Sequence, residues 1–544
     1  MGENNGDQII PEKENGINKN TLLCGVIFAV YAILTFIGAV NHELWFDEAQ
    51  AWVIVRDNDI KGIFHALGYE GHPPLWYLIL YIPAHMGLPC TIMPFISWFV
   101  TAIAGAVVMF KAPFHVVTKS AILFSGGFLF VNSIMSRSYC LINLFIVLIA
   151  LVYPKRKQFP ILYGMLIGLL ANTHICMSGF IGIIGIFMLI DLFKGFKTNG
   201  AKQNIKELTG LAVAGIGVLA MVIPLLSSAS LNSETSKMTL SAFDVISAFP
   251  KSFMNISLSL FNYSFWGVIR IESLAAGLFS GFMAAVFAAM IIVMRHKTRP
   301  FLMLLFFWIF YVITTEIMWI TIPSRALIFT AMFLIIAWIG EAEPQNNAVK
   351  IWSKIDLKTD TKMIRKIIEF IKSSDENFRR SYIVMITAIL LISVPTGAYY
   401  LFSDYAKSFS LVEGALEYIQ DSLPENSVII TRNDGLTEYS AYMPECKLYA
   451  LEYARFYTYT SHEAVPEEIS YSKIYDDLKE YDDLYFVYVY SDIDYPAIHR
   501  NVVYSERAGM PYATNARYIE ILEFDLTEEN VEKIIDPEFQ NLRV

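Results

Sequence analysis

The sequence predicts a helical membrane protein whose chain ends in a separate α/β domain outside the membrane. Three observations predict it. Of the 544 residues, 55% are hydrophobic and only 17% charged, with mean hydropathy +0.46, a composition that soluble domains do not carry. Apolar runs of spanning character recur at about 21–40, 93–110, 119–135, 138–153, 159–173, 175–193, 208–227, 272–294, 300–320, 326–340 and 382–402, which makes about 11 transmembrane helices. Charge is divided unevenly. Asp404 to the end holds 28 acids and 11 bases, a net of −17, so with −10 in total the rest of the chain carries +7. An acidic end domain excludes nucleic acid as a partner.

Taken in order, residues 1–20 are polar and mixed in charge and form a cytoplasmic tail. The run Thr21 to Val40 follows no cleavable signal pattern and is long enough to span and stay. It opens a membrane domain over 21–402. The first outer loop, 41–92, contains WFDEAQAWVIVRDNDIKGIFHALGYEGHPPLWY from Trp45 to Tyr77. Asp47 is placed to cap the helix that EAQAWVIVRD suggests. Ile60, Ile63, Phe64 and Leu67 follow at helical spacing. His72-Pro73-Pro74 then breaks the chain.

The next apolar run, 73–88, is short and carries Pro83 and His85. Lysine and arginine concentrate on the cytoplasmic side of a membrane protein. If 73–88 does not cross, the basic loops at Lys155-Arg156-Lys157, Lys194 to Lys206, Arg295 to Arg299 and 350–380 all share the side of residues 1–20. The run is therefore expected to lie at the surface or to re-enter, which puts Trp45–Tyr77 and the acidic tail outside. In the cytoplasmic segment 341–381, Met363, Ile364, Ile367, Ile368 and Ile371 give a membrane-surface helix one apolar face.

The same parity turns outward Ser136-Arg137-Ser138-Tyr139, Asn172-Thr173-His174, the loop 228–271 and Ile322-Pro323-Ser324-Arg325. Arg137 and Arg325 stand there against the charge bias. They read either as an anion site or as side chains reaching lipid headgroups or an acid. Asp47 and Glu48 likewise read as a pinned carboxylate pair or as solvated surface acids. A carboxylate base beside cations that hold a leaving phosphate suits group transfer from a phosphate-linked donor. The chain shows no glycine-rich phosphate loop, no H-E-x-x-H and no serine elbow. Its five cysteines have no metal spacing. No metal or other cofactor is expected.

Residues 403–544 change character. Helical patterns at 411–422, 471–481 and 528–535 alternate with strand-like runs at 428–431, 448–451, 484–490 and 518–524, which predicts a small α/β domain. It holds 18 of the 30 tyrosines. Their faces could stack on sugar rings, but half-buried sheet packing is the favoured reading.

A first span, an Asp-Glu pair just outside it, surface helices, an HPPL element and many further spans resemble the GT-C integral-membrane glycosyltransferases. The branch most similar is that of the protein O-mannosyltransferases and aminoarabinose transferases. The resemblance covers roughly 20–340, with WFDEAQAW and GHPPLWY the most specific parts. It implies a donor sugar on a polyprenyl phosphate, an extracytoplasmic glycan, lipid or protein acceptor, and inversion at the anomeric carbon. Independently of the resemblance, an outer tail with Cys446 alone folds without an internal disulfide, which points to a bacterial cell membrane as the setting. The resemblance also implies Asp47 as the base, with Glu48 orienting, and donor-phosphate contacts at Arg137, Arg325 and His72. Tyr77, Tyr139 and His174 are candidate substrate contacts. The basic residue that such enzymes place after the HPPL helix is missing from PCTIMPFISWFVTAIAG, and so is WWDYG in the tail. A transporter or flippase of lipid-linked sugars is the alternative, but the halves do not repeat and Glu316 is the clearest acid within a span.

Overall fold

A computed structural model describes residues 19–70, 72–198, 200–226, 248, 297–313, 323–343, 375–406, 412–431, 436–459, 470–491, 502–509 and 516–535. The described chain is mostly helical and ends in a small sheet. Among the described residues, five stretches are long and apolar enough to cross a membrane: Lys19–Asn41, Cys90–Lys111, Ile175–Thr198, Ala201–Val222 and Tyr382–Ala406. These belong to α1 (Lys19–Asn41), α5 (Met93–Lys111, after a 3-10 turn), α9 (Ser178–Thr198), α10 (Ala201–Leu226) and α13 (Asp375–Ala406). Shorter apolar helices stand beside them: α7 (Tyr139–Val152), α8 (Pro160–Ala171), α11 (Thr298–Val312) and α12 (Pro323–Glu341). The expected span 272–294, nearly all of the loop 228–271, Glu316 and the surface helix around 363–371 lie outside the described residues.

The run 119–135 is not one helix. It forms α6 (Val116–Leu123) and a single π-turn at Gly127–Val131. Two causes are visible. Gly126-Gly127 weakens the helix by its backbone entropy. At the same place α13 comes in backbone to backbone: a Cβ added to Gly397 would sit 2.8 Å from the Gly126 Cα. Close approach of small residues also joins α8 to α10, where Gly164 and Gly168 meet Gly210 and Gly217, the arrangement by which apolar helices pack without any aqueous driving force.

The segment between the first two long helices forms α2 (Phe46–Asp57), α3 (Ile60–Glu70) and α4 (Leu75–His85). With 11 residues, α4 is about 16 Å long, roughly half the thickness of a hydrocarbon core. Ile63 and Leu67 of α3 are buried while Ile60 and Phe64 are exposed, so only part of its apolar set faces the core.

Contacts sort the helix ends into two groups. At one end, Ser136 donates its N–H to Glu48, Leu75 N–H reaches the Asn172 carbonyl at 3.3 Å, and His42 meets Asp404 at 3.0 Å. At the other, Arg156 bonds Glu343 at 2.8 Å, Arg299 bonds Asp191 at 2.8 Å, and Gln203 bonds the Lys157 carbonyl at 2.6 Å.

In the end domain, helices α14 (Val412–Ser422), α15 (Leu436–Tyr442), α16 (Tyr471–Leu478) and α17 (Glu528–Ile535) flank a six-stranded sheet of order β3-β2-β1-β4-β6-β5. The strands are β1 (Val428–Thr431), β2 (Lys447–Ala450), β3 (Arg455–Phe456), β4 (Leu484–Ser491), β5 (Val502–Gly509) and β6 (Ala516–Glu523). β1 pairs in parallel with β2 and β4, and β6 runs antiparallel to β4 and β5. Alternate residues serve opposite faces. Ile429 and Ile521 pack with α14, while Val428, Ile430 and Leu522 pack with α16, as a sheet covered on both sides requires. Tyr439, Tyr449 and Tyr453 are buried, which supports packing as the role of much of the tyrosine. β3, β5 and α15 were not expected from the sequence. VVYSERAG carries two charges without clean alternation, and α15 has only seven residues.

The end domain docks on α2 through α15. Tyr442 Oη accepts the Leu44 N–H at 2.7 Å. Arg56 donates to the Ser440 carbonyl at 2.5 Å and to its hydroxyl at 2.9 Å.

Candidate active site

Asp47 and Glu48 part company in the first turn of α2. The helix begins at Phe46 with Trp45 as its N-cap, so Asp47 lies inside the first turn and does not cap it, contrary to expectation. Glu48 does the capping: its Oε2 accepts the Trp45 N–H at 2.9 Å, as a glutamate at the third helical position is placed to do. Successive residues point about 100° apart around a helix, so the two carboxylates serve different neighbours.

Glu48 points inward and is fully buried. It accepts the Ser136 N–H and faces His42 Nε2 at 3.1 Å. His42 Nδ1 lies 3.0 Å from Asp404, near the end of α13. Carboxylates only accept, so an imidazole with a carboxylate on each nitrogen donates from both and is the cation. Burial by itself would lower the His42 pKa; Asp404 and then Glu48 overcome it and raise the value well above the ordinary one. Glu48, His42 and Asp404 thus tie together the ends of α1, α2 and α13 and the turn before α7.

Asp47 points the other way, to Arg137, whose Nη1 donates to Oδ2. Arg137 Nη2 also lies 3.3 Å from His72 Nε2. A guanidinium has no acceptor, so Nε2 accepts and His72 is the neutral tautomer with its proton on Nδ1. That nitrogen is 3.9 Å from Glu70 Oε2. Asp47, His72, Arg137 and Ser138 line a small open cleft with Trp76 and Tyr77. Asp47 and His72 remain about one-third exposed, at 33% and 32%, so both are open to a ligand. Burial, and then the Glu70 charge, push the Tyr77 hydroxyl well above its usual range, which keeps it a donor. Among the described residues the buried Trp76 indole N–H has no hydrogen-bond partner.

Tyr139 and His174 do not line the cleft. Both are buried, with ring centroids 5.5 Å apart. The Arg137 guanidinium carbon stands 5.8 Å from the Tyr139 ring centre, and His174 Nδ1 accepts the Cys176 N–H at 3.2 Å. They pack behind the arginine. Arg325 falls in the first turn of α12; its side chain lies outside the described residues. Three segments far apart in the chain therefore supply one cleft: the α2 start, the His-Pro-Pro element and the turn before α7. Sequence reasoning missed His42, Asp404, Gln50, Glu70 and Trp76. For the first pair the available signal was one histidine just past the first span and one aspartate at the end of the last.

No protein-family model matches the chain, and no curated protein matches it.

Proposed function

We propose that the chain is a membrane glycosyltransferase, GT-C-like and with about 11 spans, that moves a sugar from a polyprenyl phosphate to an acceptor hydroxyl outside a bacterial cell membrane. One observation carries the reading. An accessible carboxylate, an arginine and a histidine converge in a single cleft walled by aromatic rings, at the helix ends away from the basic loops.

The chemistry follows from those groups. Asp47 Oδ accepts the proton of the acceptor hydroxyl. The acceptor oxygen attacks the anomeric carbon from the side opposite the phosphate, the carbon–oxygen bond to phosphate breaks, and the electron pair leaves with the polyprenyl phosphate. Inversion results. Charge builds on the leaving phosphate, and Arg137, with Arg325 from α12, offers the paired N–H groups that suit it. His72 fixes Arg137 from the far side. Trp76 and Tyr77 give a flat apolar wall with donor N–H and O–H groups, which matches a sugar ring. Glu48 is spent on structure and takes no proton.

Transfer from radiolabelled polyprenyl-phosphate sugars by the purified protein in proteoliposomes, scored against glycan, lipid and peptide acceptors, tests the reading. Label in an acceptor is the expected result. Label that only changes leaflet, with the donor intact, would make the protein a flippase.

A further inference from the structure

We infer that the end domain helps build the cleft, and that Gln50 and Glu70 are positioning residues that carry its hold from Thr437 to His72. The inference deepens the transferase reading and rests on it for the meaning of the cleft.

Five contacts form the path. Thr437, on α15 of the end domain, donates its hydroxyl to Gln50 Oε1 at 2.7 Å. Gln50 Nε2 donates to Glu70 Oε1 at 2.9 Å. The other Glu70 oxygen lies 3.9 Å from His72 Nδ1, and His72 Nε2 faces Arg137, which holds Asp47. The directions are fixed. A carboxylate can only accept, so the Gln50 amide turns its NH₂ to Glu70 and its oxygen to Thr437, and the threonine must donate. Thr437 is fully buried and Gln50 nearly so, where a misdirected amide would leave a polar group unsatisfied.

The path has a chemical consequence. An acceptor at His72 Nε2 for Arg137 leaves the ring proton on Nδ1, and the Glu70 carboxylate, 3.9 Å from that nitrogen, favours it there electrostatically. The charged and titratable groups around His72 are Glu70 from α3, Asp47 from α2, Tyr77 from α4 and Arg137 from the turn before α7. Of these, Glu70 is the one tied to the end domain among the described residues. A separate docking contact, Arg56 to Ser440, is not part of this path.

The test reads His72 without any turnover. Full-length protein in lipid nanodiscs is treated with diethyl pyrocarbonate from pH 5 to 8, and modification of the His72 peptide is followed by mass spectrometry. Glu70→Gln should move the modification profile about one pH unit lower, since a carboxylate within ion-pair distance favours the charged imidazole by about that much. Gln50→Leu should move it in the same direction by a smaller amount, and Thr437→Val by less again. Ser440→Ala, which loosens docking only, should leave it in place. In transfer assays Gln50→Leu should raise the KM for the lipid donor about threefold or more, equivalent to one lost hydrogen bond, with kcat changed less. A Gln50→Leu profile that overlays the wild type overturns the inference, and so does an equal shift for Thr437→Val and Ser440→Ala. If the wild type transfers no sugar but the profiles move as stated, the transferase reading fails and the positioning path stands.

Discussion

Two ion networks close opposite ends of the same helices, and they are built from the same residue types to different purposes. The network at the basic end joins Arg156, Arg299, Asp191 and Glu343. Arg299 grips Asp191 with both terminal nitrogens, Arg156 and the Tyr153 hydroxyl both donate to Glu343, and Tyr153 lies 4.0 Å under the Arg156 guanidinium. Two cations meet two anions, and all four side chains are between 9% and 17% exposed. The other end sets Asp47, Glu48, Glu70 and Asp404 against Arg137 and a protonated His42. Among the described residues carboxylates outnumber cations there, and one of them opens onto a cleft. A matched, covered network staples helices. A network with a surplus acid and an opening can accept a proton from something that enters.

The comparison breaks first at Asp47. Asp47→Asn keeps the shape and the contact to Arg137 but removes the base, so transfer should fall about 10²–10⁴-fold while the thermal midpoint in detergent stays near that of the wild type. Asp191→Asn at the other end should do the reverse, with turnover per folded molecule unchanged and the midpoint lowered. Full turnover in Asp47→Asn would reduce the open network to a second staple.

The next effect is on stability. Arg299→Ala leaves Asp191 with the more distant Arg156, 3.7 Å away, and the charge of Lys157. Removing one partner of a buried pair costs about 3 kcal/mol or more, and the partial exposure here favours the low end. Equilibrium unfolding of the reconstituted protein measures it. A change within error would mean that the basic end is held by the apolar packing around Phe187 and Tyr153 and not by charge.

Much of the open end was legible in the sequence because its chemistry is concentrated in short motifs. WFDEAQAW and GHPPLWY marked Asp47 and His72, and an arginine standing against the charge bias marked Arg137. Asp47 and Glu48 face different neighbours, as adjacent residues on a helix must. The cap was misassigned, because the helix starts one residue before Asp47 and hands the cap role to its neighbour. What could not be read was pairing across the chain. His42 meets Asp404 from 362 residues away, and Gln50 meets Thr437 from 387 away; no local pattern encodes either. The apolar runs gave the long helices, whereas the break at Gly126 depends on Gly397, again a distant partner.

The buried histidine gives the open end a pH dependence above neutral pH. A pKa raised in the folded state means that the folded chain binds the proton more tightly. His42 therefore contributes its full stabilisation below about pH 6.5, the unfolded value, and that contribution is lost as pH rises through the raised native value. Asp404, Glu48 and Glu43 are the acids around it. The midpoint of the wild type should fall from pH 6 to pH 9, and His42→Asn should show a lower midpoint with a flatter dependence. Parallel slopes for the two proteins would show that His42 is not the titrating group.

The smallest expected effect separates the groups that touch a ligand from those that only back them. Tyr139 lies behind Arg137 and against His174, outside the cleft. Its ring face attracts the guanidinium by about 0.5–1 kcal/mol, more where water is excluded. Tyr139→Leu keeps the volume roughly and removes that attraction, so Arg137 loses part of its aim while Asp47 keeps its proton chemistry. The KM for the lipid-phosphate donor should rise about two- to fivefold, the kinetic equivalent of that energy, with kcat and the acceptor KM unchanged. Tyr139→Phe, which retains the ring, should restore the wild-type donor KM. A fall in kcat in Tyr139→Leu with donor KM unchanged would place the ring at the reacting atoms, and Tyr139 would then belong with Asp47 on the ligand side of the site.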